Sequence, residues 1–259
     1  MHLSRRGLVG LILCLLAPVQ PSHARDDVPV IAAASNLEFA LVEIVSNFQK
    51  DTGQTVRLSF GSTGNLARQI RQGAPFQMFL AADEKTPLAL HSEALTEDAG
   101  SIYAVGRIVL VAPKGGALRP DTDLNGLAAM IEAGQITRFA IANPEHAPFG
   151  IAAREALQHR GLWDALKPRL VLGENISQAA QFALSGNAEG GIIALSLALA
   201  PEVAKRGDHA IIPADWHHPL SQRMVLLRGA GPVARAFHDY MNSPLAREIL
   251  ARYGFGLPG

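Results

Sequence analysis

Four segments of this chain share one local pattern: an apolar run ends in a short turn of small, hydrogen-bonding residues and passes directly into helical spacing. They are Ala32-Ala33-Ala34-Ser35-Asn36-Leu37, Phe60-Gly61-Ser62-Thr63-Gly64-Asn65, Asn143-Pro144-Glu145-His146-Ala147-Pro148-Phe149-Gly150 and Gly173-Glu174-Asn175-Ile176-Ser177. Repeated strand-to-helix units commit a chain to parallel strands, because parallel neighbours need a crossover that a helix normally supplies. Each turn also opens a helix, where unpaired backbone N–H groups and about half a positive charge face outward. No lysine or arginine lies in any of the turns. Several such N-termini converging would hold an anion with neutral donors alone.

The N-terminus bears on where the chain works. Arg5-Arg6 leads into the apolar run Gly7 to Pro18, and Ser22-His23-Ala24 resembles a small-x-small cleavage site. That layout predicts a secretory signal peptide over residues 1–24, too short in its apolar part to span a bilayer. Ser4-Arg5-Arg6 fits a twin-arginine export signal only loosely, so the general secretory route is the expected one. The sole cysteine, Cys14, lies inside this segment and follows Leu13 rather than the small residue of a lipoprotein signal. A mature chain starting near Arg25 therefore contains no cysteine, which excludes disulfides, thiolate catalysis and Cys-ligated metals together. Without Arg5 and Arg6 it carries 21 basic against 23 acidic residues, a formal charge of −2. That balance argues against nucleic acid or an anionic membrane as a partner.

The full sequence is 48% hydrophobic, and the part after residue 24 has material for one large core or two smaller ones. Strands are expected at Val28 to Ala34, Val56 to Phe60 and Met78 to Ala82, with helices over Leu37 to Gln49 and Asn65 to Arg71 between them. Ile102 to Pro113 reads as one long strand leaving a first lobe for a second. Phe139 to Ala142, Ile151 to His159, Arg169 to Leu172, Ser177 to Leu184 and Gly191 to Ala194 then repeat the strand–helix pattern. Met224 to Leu227 returns, and a helix carrying Val233, Phe237, Tyr240 and Met241 on one face closes the first lobe. The expected fold class is α/β: residues 25–112 and 220–259 as lobe 1, 113–219 as lobe 2, each a mostly parallel sheet flanked by helices. No internal repeat is visible. Ligands of open α/β sheets bind beyond the carboxyl ends of strands, which here face one another across a cleft.

The same turns also have a purely structural reading, because Ser35, Asn36, Thr63 and Asn175 are of the types that cap their own helices at about 1 kcal/mol each. Recurrence in both halves favours a site. Gly61-Ser62-Thr63-Gly64 lacks the Gly-x-Ser-x-Gly elbow, and no spacing ties Ser62 to a particular histidine and acid. His217-His218 point apart in an extended chain and read as exposed loop residues rather than a metal site. His146, inside the third turn, is a secondary candidate, and Asp83-Glu84 are expected to cap and charge the following helix.

These residues resemble the periplasmic molybdate-binding proteins of molybdate ABC transporters, within the type II periplasmic binding-protein fold. The resemblance rests on Ala32 to Asn36, Phe60 to Gly64, Asn143 to Pro148, Tyr253-Gly254-Phe255 and above all Ala67-Arg-Gln-Ile-Arg-Gln-Gly-Ala-Pro-Phe-Gln-Met-Phe-Leu-Ala-Ala-Asp83. It covers essentially the whole mature chain. It implies a non-enzymatic receptor without a cofactor, a periplasmic monomer that closes on molybdate or tungstate and delivers it to an inner-membrane ABC permease. Mapped onto this chain, the oxyanion contacts fall at Ser35, Asn36, Ser62 and Thr63, and at the backbone amides of Phe149 and Ile176, whose side chains matter mainly for shape. The contacts are to oxyanion oxygens, with no direct ligation of the metal atom. Three positions depart from the family pattern: Ala194 stands where some relatives place a tyrosine hydroxyl, Thr63 where serine is common, and Gln77 where aspartate is frequent. A receptor for another oxyanion such as sulfate, and a secreted hydrolase using Ser62, remain the alternatives.

Overall fold

The computed structural model describes residues 28–258 together with the isolated His2; the signal segment expected over residues 1–24, with Cys14, lies outside the described residues. The chain begins with β1 (Val30–Ala34), a 3-10 turn (Ser35–Leu37), α1 (Glu38–Thr52), β2 (Arg57–Gly61), α2 (Thr63–Arg71), β3 (Phe76–Leu80), α3 (Lys85–Ser92) and β4 (Ser101–Gly106). It continues through β5 (Ile108–Pro113), α4 (Asn125–Glu132), β6 (Phe139–Ala142), α5 (Pro148–His159), α6 (Trp163–Leu166), β7 (Leu170–Gly173) and α7 (Ile176–Ala183). Then follow β8 (Gly190–Ala194), α8 (Leu195–Ala198), α9 (Pro201–Ala204), β9 (Gly207–Ile211), β10 (Leu220–Leu226), α10 (Pro232–Tyr240) and α11 (Pro244–Arg252).

The strands form two five-stranded sheets, ordered β2-β1-β3-β10-β4 and β7-β6-β8-β5-β9. In each, four strands run one way and one is reversed: β10 pairs antiparallel with β3 and β4, and β5 with β8 and β9. The reversed strand is in both cases the one the chain forms on arriving from the other sheet. The two sheets therefore have the same topology, although the sequence shows no repeat. This is the two-lobed α/β architecture expected.

One boundary differs from the sequence reading. Ile102 to Pro113 is not a single strand; Ser101–Gly106 belongs to the first sheet and Ile108–Pro113 to the second. The change of sheet falls at Arg107 rather than after residue 112. The apolar run is continuous on both sides because β5 is buried along almost its whole length, so the pattern carried no punctuation at the crossing. The second crossing occupies residues 212–219, between β9 and β10.

Helices cover both faces of the first sheet. Leu37, Leu41, Ile44 and Phe48 pack with Phe237, Met241, Ile249 and Leu250 on one face, where Phe48 meets Phe237 and Tyr240 edge-on at 5.3 Å. Leu66, Ile70 and Leu90 cover the other, against Ala32, Phe79 and Val225. Gln77 accepts a hydrogen bond from the amide of Gly231 at 2.8 Å, fastening the entry to α10 onto β3, which gives this departure from the family pattern a structural role. The second lobe's core extends across the cleft to Ala34, Ala82 and Leu220, and Phe39 of α1 packs against it.

α5 sits directly over the end of β6. A Cβ on Gly150 would lie 2.2 Å from the Ala142 carbonyl oxygen, so only glycine permits the approach. Gly150→Ala is expected to lower stability by about 2–3 kcal/mol and the melting temperature by about 5–10 °C, measured by thermal unfolding. An unchanged melting temperature would show that α5 shifts freely.

Candidate functional site

Residues just beyond the C-terminal ends of β1, β2, β6 and β7 meet between the lobes. Ser35, Asn36, Ser62, Thr63, Phe149 and Ile176 all line one small cavity, with Ala34, Gly61, Ala82, Ala147 and Pro148 completing its wall. All six sequence-identified residues are at most 5% exposed. No side chain of this lining carries a charge.

The hydrogen bonds separate the capping role from the site. Ser62 caps α2, accepting from the Asn65 amide at 3.4 Å, and Asn175 caps α7, accepting from the Gln178 amide at 3.0 Å. Ser35 and Asn36 do not cap the helix that follows them, and Thr63 is already inside its helix. Thr63 Oγ1 accepts from the Ala82 amide at 3.0 Å, which leaves its own proton available. Ser35 Oγ donates to Asn175 Oδ1 at 3.2 Å and accepts from the Ser177 amide at 3.3 Å. Opposite them, Ile176 and Phe149 offer first-turn N–H groups, which have no acceptor within their own helices. α5 has no side-chain cap at all, and its first residue, Pro148, has no N–H to satisfy. The Phe149 and Ile176 side chains are buried in the apolar cluster that spans the cleft, with the Phe149 ring reaching Gly106 of the first sheet.

A second set of contacts draws the lobes together around the cavity. Ser177 Oγ lies 2.7 Å from Glu38 Oε2 and 3.1 Å from the Ser35 carbonyl oxygen. Ser196 Oγ donates to the Asn36 carbonyl at 2.7 Å, the Gly64 amide to the His146 carbonyl at 2.9 Å, and Asn65 Nδ2 to Glu174 Oε2 at 3.2 Å. Sequence reasoning passed over Glu38, Glu174 and Ser196 and treated Asn175 only as a cap. Their partners lie tens of residues or more away in sequence, so no local spacing marks them.

His146 has a defined place: its Nδ1 is 2.9 Å from Ser62 Oγ and its Nε2 is 3.7 Å from Glu174 Oε2. The order serine, histidine, carboxylate resembles a hydrolytic triad, but a triad needs a buried acid hydrogen-bonded to the imidazole. Here the distance exceeds a hydrogen bond and the Glu174 side chain is 68% exposed. The arrangement instead ties one lobe's turn to the other's. Asp83 accepts from the Thr86 amide and hydroxyl at 2.7 and 3.0 Å, as expected of a cap, whereas Glu84 pairs with Arg223 at 2.8 Å. His217 corrects the expectation of two exposed histidines: it is buried, and only His218 is exposed, bonded to Glu155 at 2.9 Å. Among the described residues, no group of histidine, cysteine or acidic side chains has the arrangement of a metal centre, and no helix is long and apolar enough to cross a membrane.

Comparison with known proteins places the architecture. Residues 29–256 match the family of bacterial extracellular solute-binding proteins. This chain belongs to that family. Among its relatives, the molybdate-binding protein ModA of Azotobacter vinelandii is 40% identical over 254 residues, covering 96% of this chain and 98% of that protein. The ModA of Rhodobacter capsulatus is 36% identical, covering 97% and 96%. The solved structure of the Azotobacter vinelandii periplasmic molybdate-binding protein superposes with a TM-score of 0.79 at 30% identity, over 89% of this chain and 100% of that one. In this solute-binding protein, Ala194 is buried at the end of β8 and is absent from the cavity lining.

Gly64 decides how closely the two lobes of the solute-binding protein meet. A Cβ there would stand 2.8 Å from the His146 carbonyl oxygen and 2.9 Å from its Cβ. Because Gly64 is inside α2, alanine should by itself favour that helix by about 0.8–1 kcal/mol. Gly64→Ala is therefore expected to keep or raise the melting temperature while holding the lobes apart, seen as a larger radius of gyration in small-angle scattering. An unchanged radius would mean that closure does not depend on this contact.

Proposed function

We propose that this protein captures molybdate, and tungstate through the same donors, in the cavity between its lobes and delivers it to an inner-membrane ABC permease. The observation that carries the reading is the uncharged cavity wall, in which hydroxyls of Ser35, Ser62 and Thr63 and the Asn36 amide of one lobe face the Phe149 and Ile176 amides of the other. The relatives named for molybdate binding support the choice of anion. Neutral donors suit a dianion that needs acceptor sites only; a protonated phosphate would also require an acceptor, and no carboxylate lines this wall. Hydrogen bonds to a charged group are worth about 1.5–3 kcal/mol each, so several exceed the roughly 8 kcal/mol of a micromolar complex before association costs are subtracted.

Binding requires donors from both lobes, so closure and capture are one event. The protein acts by binding, without catalysis and without a resident cofactor. We place it in the periplasm as a monomer, exported by the general secretory route with cleavage of residues 1–24.

Calorimetric titration of the purified protein with molybdate is expected to show saturable one-to-one binding that survives excess sulfate and phosphate. Displacement by sulfate would make this a receptor for the smaller oxyanion. Absence of both heat and ligand-induced thermal stabilisation would overturn the anion reading. Thr63→Ala and Ser35→Ala are each expected to weaken molybdate by about 10-fold or more while the protein still folds, with the melting temperature lowered by a few degrees because the Ala82 or Ser177 amide loses its acceptor. Phe149→Leu, which keeps the amide and most of the buried volume, should change affinity by less than about 3-fold, since a volume-conserving swap leaves the donor in place. A larger loss at Phe149 with folding intact would refute donation through its backbone.

A further inference from the structure

Beside the cavity, on the first lobe's side, three buried polar side chains form a file: Tyr103 on β4, Gln222 on β10 and Asn36 in the 3-10 turn. They are 2%, 0% and 1% exposed. The Tyr103 hydroxyl lies 2.8 Å from Gln222 Oε1 and 3.0 Å from the Ala81 carbonyl oxygen, and the Gln222 amide group meets that of Asn36 at 3.1 Å. β10 slips register against β4 between Gln222 and Arg223, a bulge of the kind that re-aims a side chain.

Half a turn of a terminal amide exchanges its oxygen and nitrogen without changing its shape, so two proton arrangements fit these distances. In the first, Gln222 Oε1 accepts from both Asn36 Nδ2 and Tyr103. Asn36 Oδ1 and Gln222 Nε2 are then buried without partners, and the single Tyr103 proton must serve both Gln222 and Ala81. In the second, Gln222 Nε2 donates one hydrogen to the Tyr103 oxygen and one to Asn36 Oδ1, and the Tyr103 proton goes to Ala81. Every contact in the file then has its own proton, and the two groups without a protein partner are Gln222 Oε1 and the Asn36 NH2. The group of Asn36 left free is its NH2. Burial, reinforced by the nearby Asp83 carboxylate, holds the Tyr103 hydroxyl well above the ordinary tyrosine range, so it keeps the proton this arrangement needs.

We propose that Tyr103 and Gln222 are positioning residues that turn the Asn36 amide so that its NH2, and not its oxygen, faces the bound anion. The inference rests on the anion-binding reading above. Asn36 lines the cavity, and Ser196 of the opposite lobe holds its backbone oxygen at 2.7 Å, leaving the side-chain torsion as the remaining freedom. An Asn36 oxygen facing inward would repel a dianion that an NH2 would bind, so the file sets the sign of one contact in a site that has no charge to compensate an error. It also supplies a donor on a wall to which Ala194 brings no hydroxyl.

The test is a double-mutant cycle on the full protein, read by molybdate titration with a melting curve for each variant. Gln222→Leu and Tyr103→Phe are each expected to weaken molybdate by about 5–10-fold, the loss of roughly one charge-assisted bond. In the Asn36→Ala background the same changes should alter affinity by less than about 2-fold, because coupled residues are non-additive. Tyr103→Phe removes a single atom and keeps the cycle readable should Gln222→Leu fail to fold. Saturating molybdate should also move the Asn36 side-chain ¹⁵N-amide resonances of the wild type. Equal losses in both backgrounds, no loss in either, or unmoved Asn36 side-chain resonances at saturation would overturn the proposal. Failure of the wild type to bind molybdate would instead overturn the anion reading on which it stands.

Discussion

Taking a double negative charge out of water without a counter-charge demands that hydration be replaced by donors already fixed in place. Everything else in this structure follows from how those donors are held. Backbone N–H groups are fixed by the helices that begin with them, and hydroxyls by the amides they accept from, as Thr63 accepts from Ala82. Such donors point in one direction only, so enclosing a tetrahedral guest requires them to come from opposite sides. Two lobes with the same sheet topology provide opposed sets of strand ends.

The same geometry makes closure specific. Polar groups at the rim are paired across the cleft: Ser177 with Ser35 and Glu38, Ser196 with the Asn36 carbonyl, His146 with Ser62 and Gly64. Each pair replaces bonds to water that the open cleft would make, so the net gain per contact is small. The apolar part is larger, since the second lobe's core continues through the cavity wall to Ala34 and Ala82. A cavity wall made of residues that also belong to the core cannot be reshaped without disturbing packing. This ties selectivity to rigidity.

Much of the candidate site was legible because its signals are local. Ser35, Asn36, Ser62, Thr63, Phe149 and Ile176 sit at helix starts, and a strand end followed by small donor residues is written in adjacent positions. The crossing at Arg107 was not legible, because a buried strand on either side of it gives the same apolar run. Nor were Gln222 and Tyr103: buried polar residues on strands look like solvent-facing ones until the sheet order puts β10 between β3 and β4. His217 fails for the converse reason, since a histidine in a crossing segment is buried or exposed according to what packs over it.

The sequence by itself determined the α/β class, the four donor turns, the absence of lysine and arginine within them and the family, all of which depend on residue types over short spans. The tertiary structure alone decided which hydroxyls are spent on capping and which are free. It also decided where the chain changes lobe, and which way the Asn36 amide is pushed. Those outcomes depend on contacts between residues more than a hundred positions apart. A hydrogen-bond donor is identified by its chemistry, but its direction is set only when its partners are brought to it.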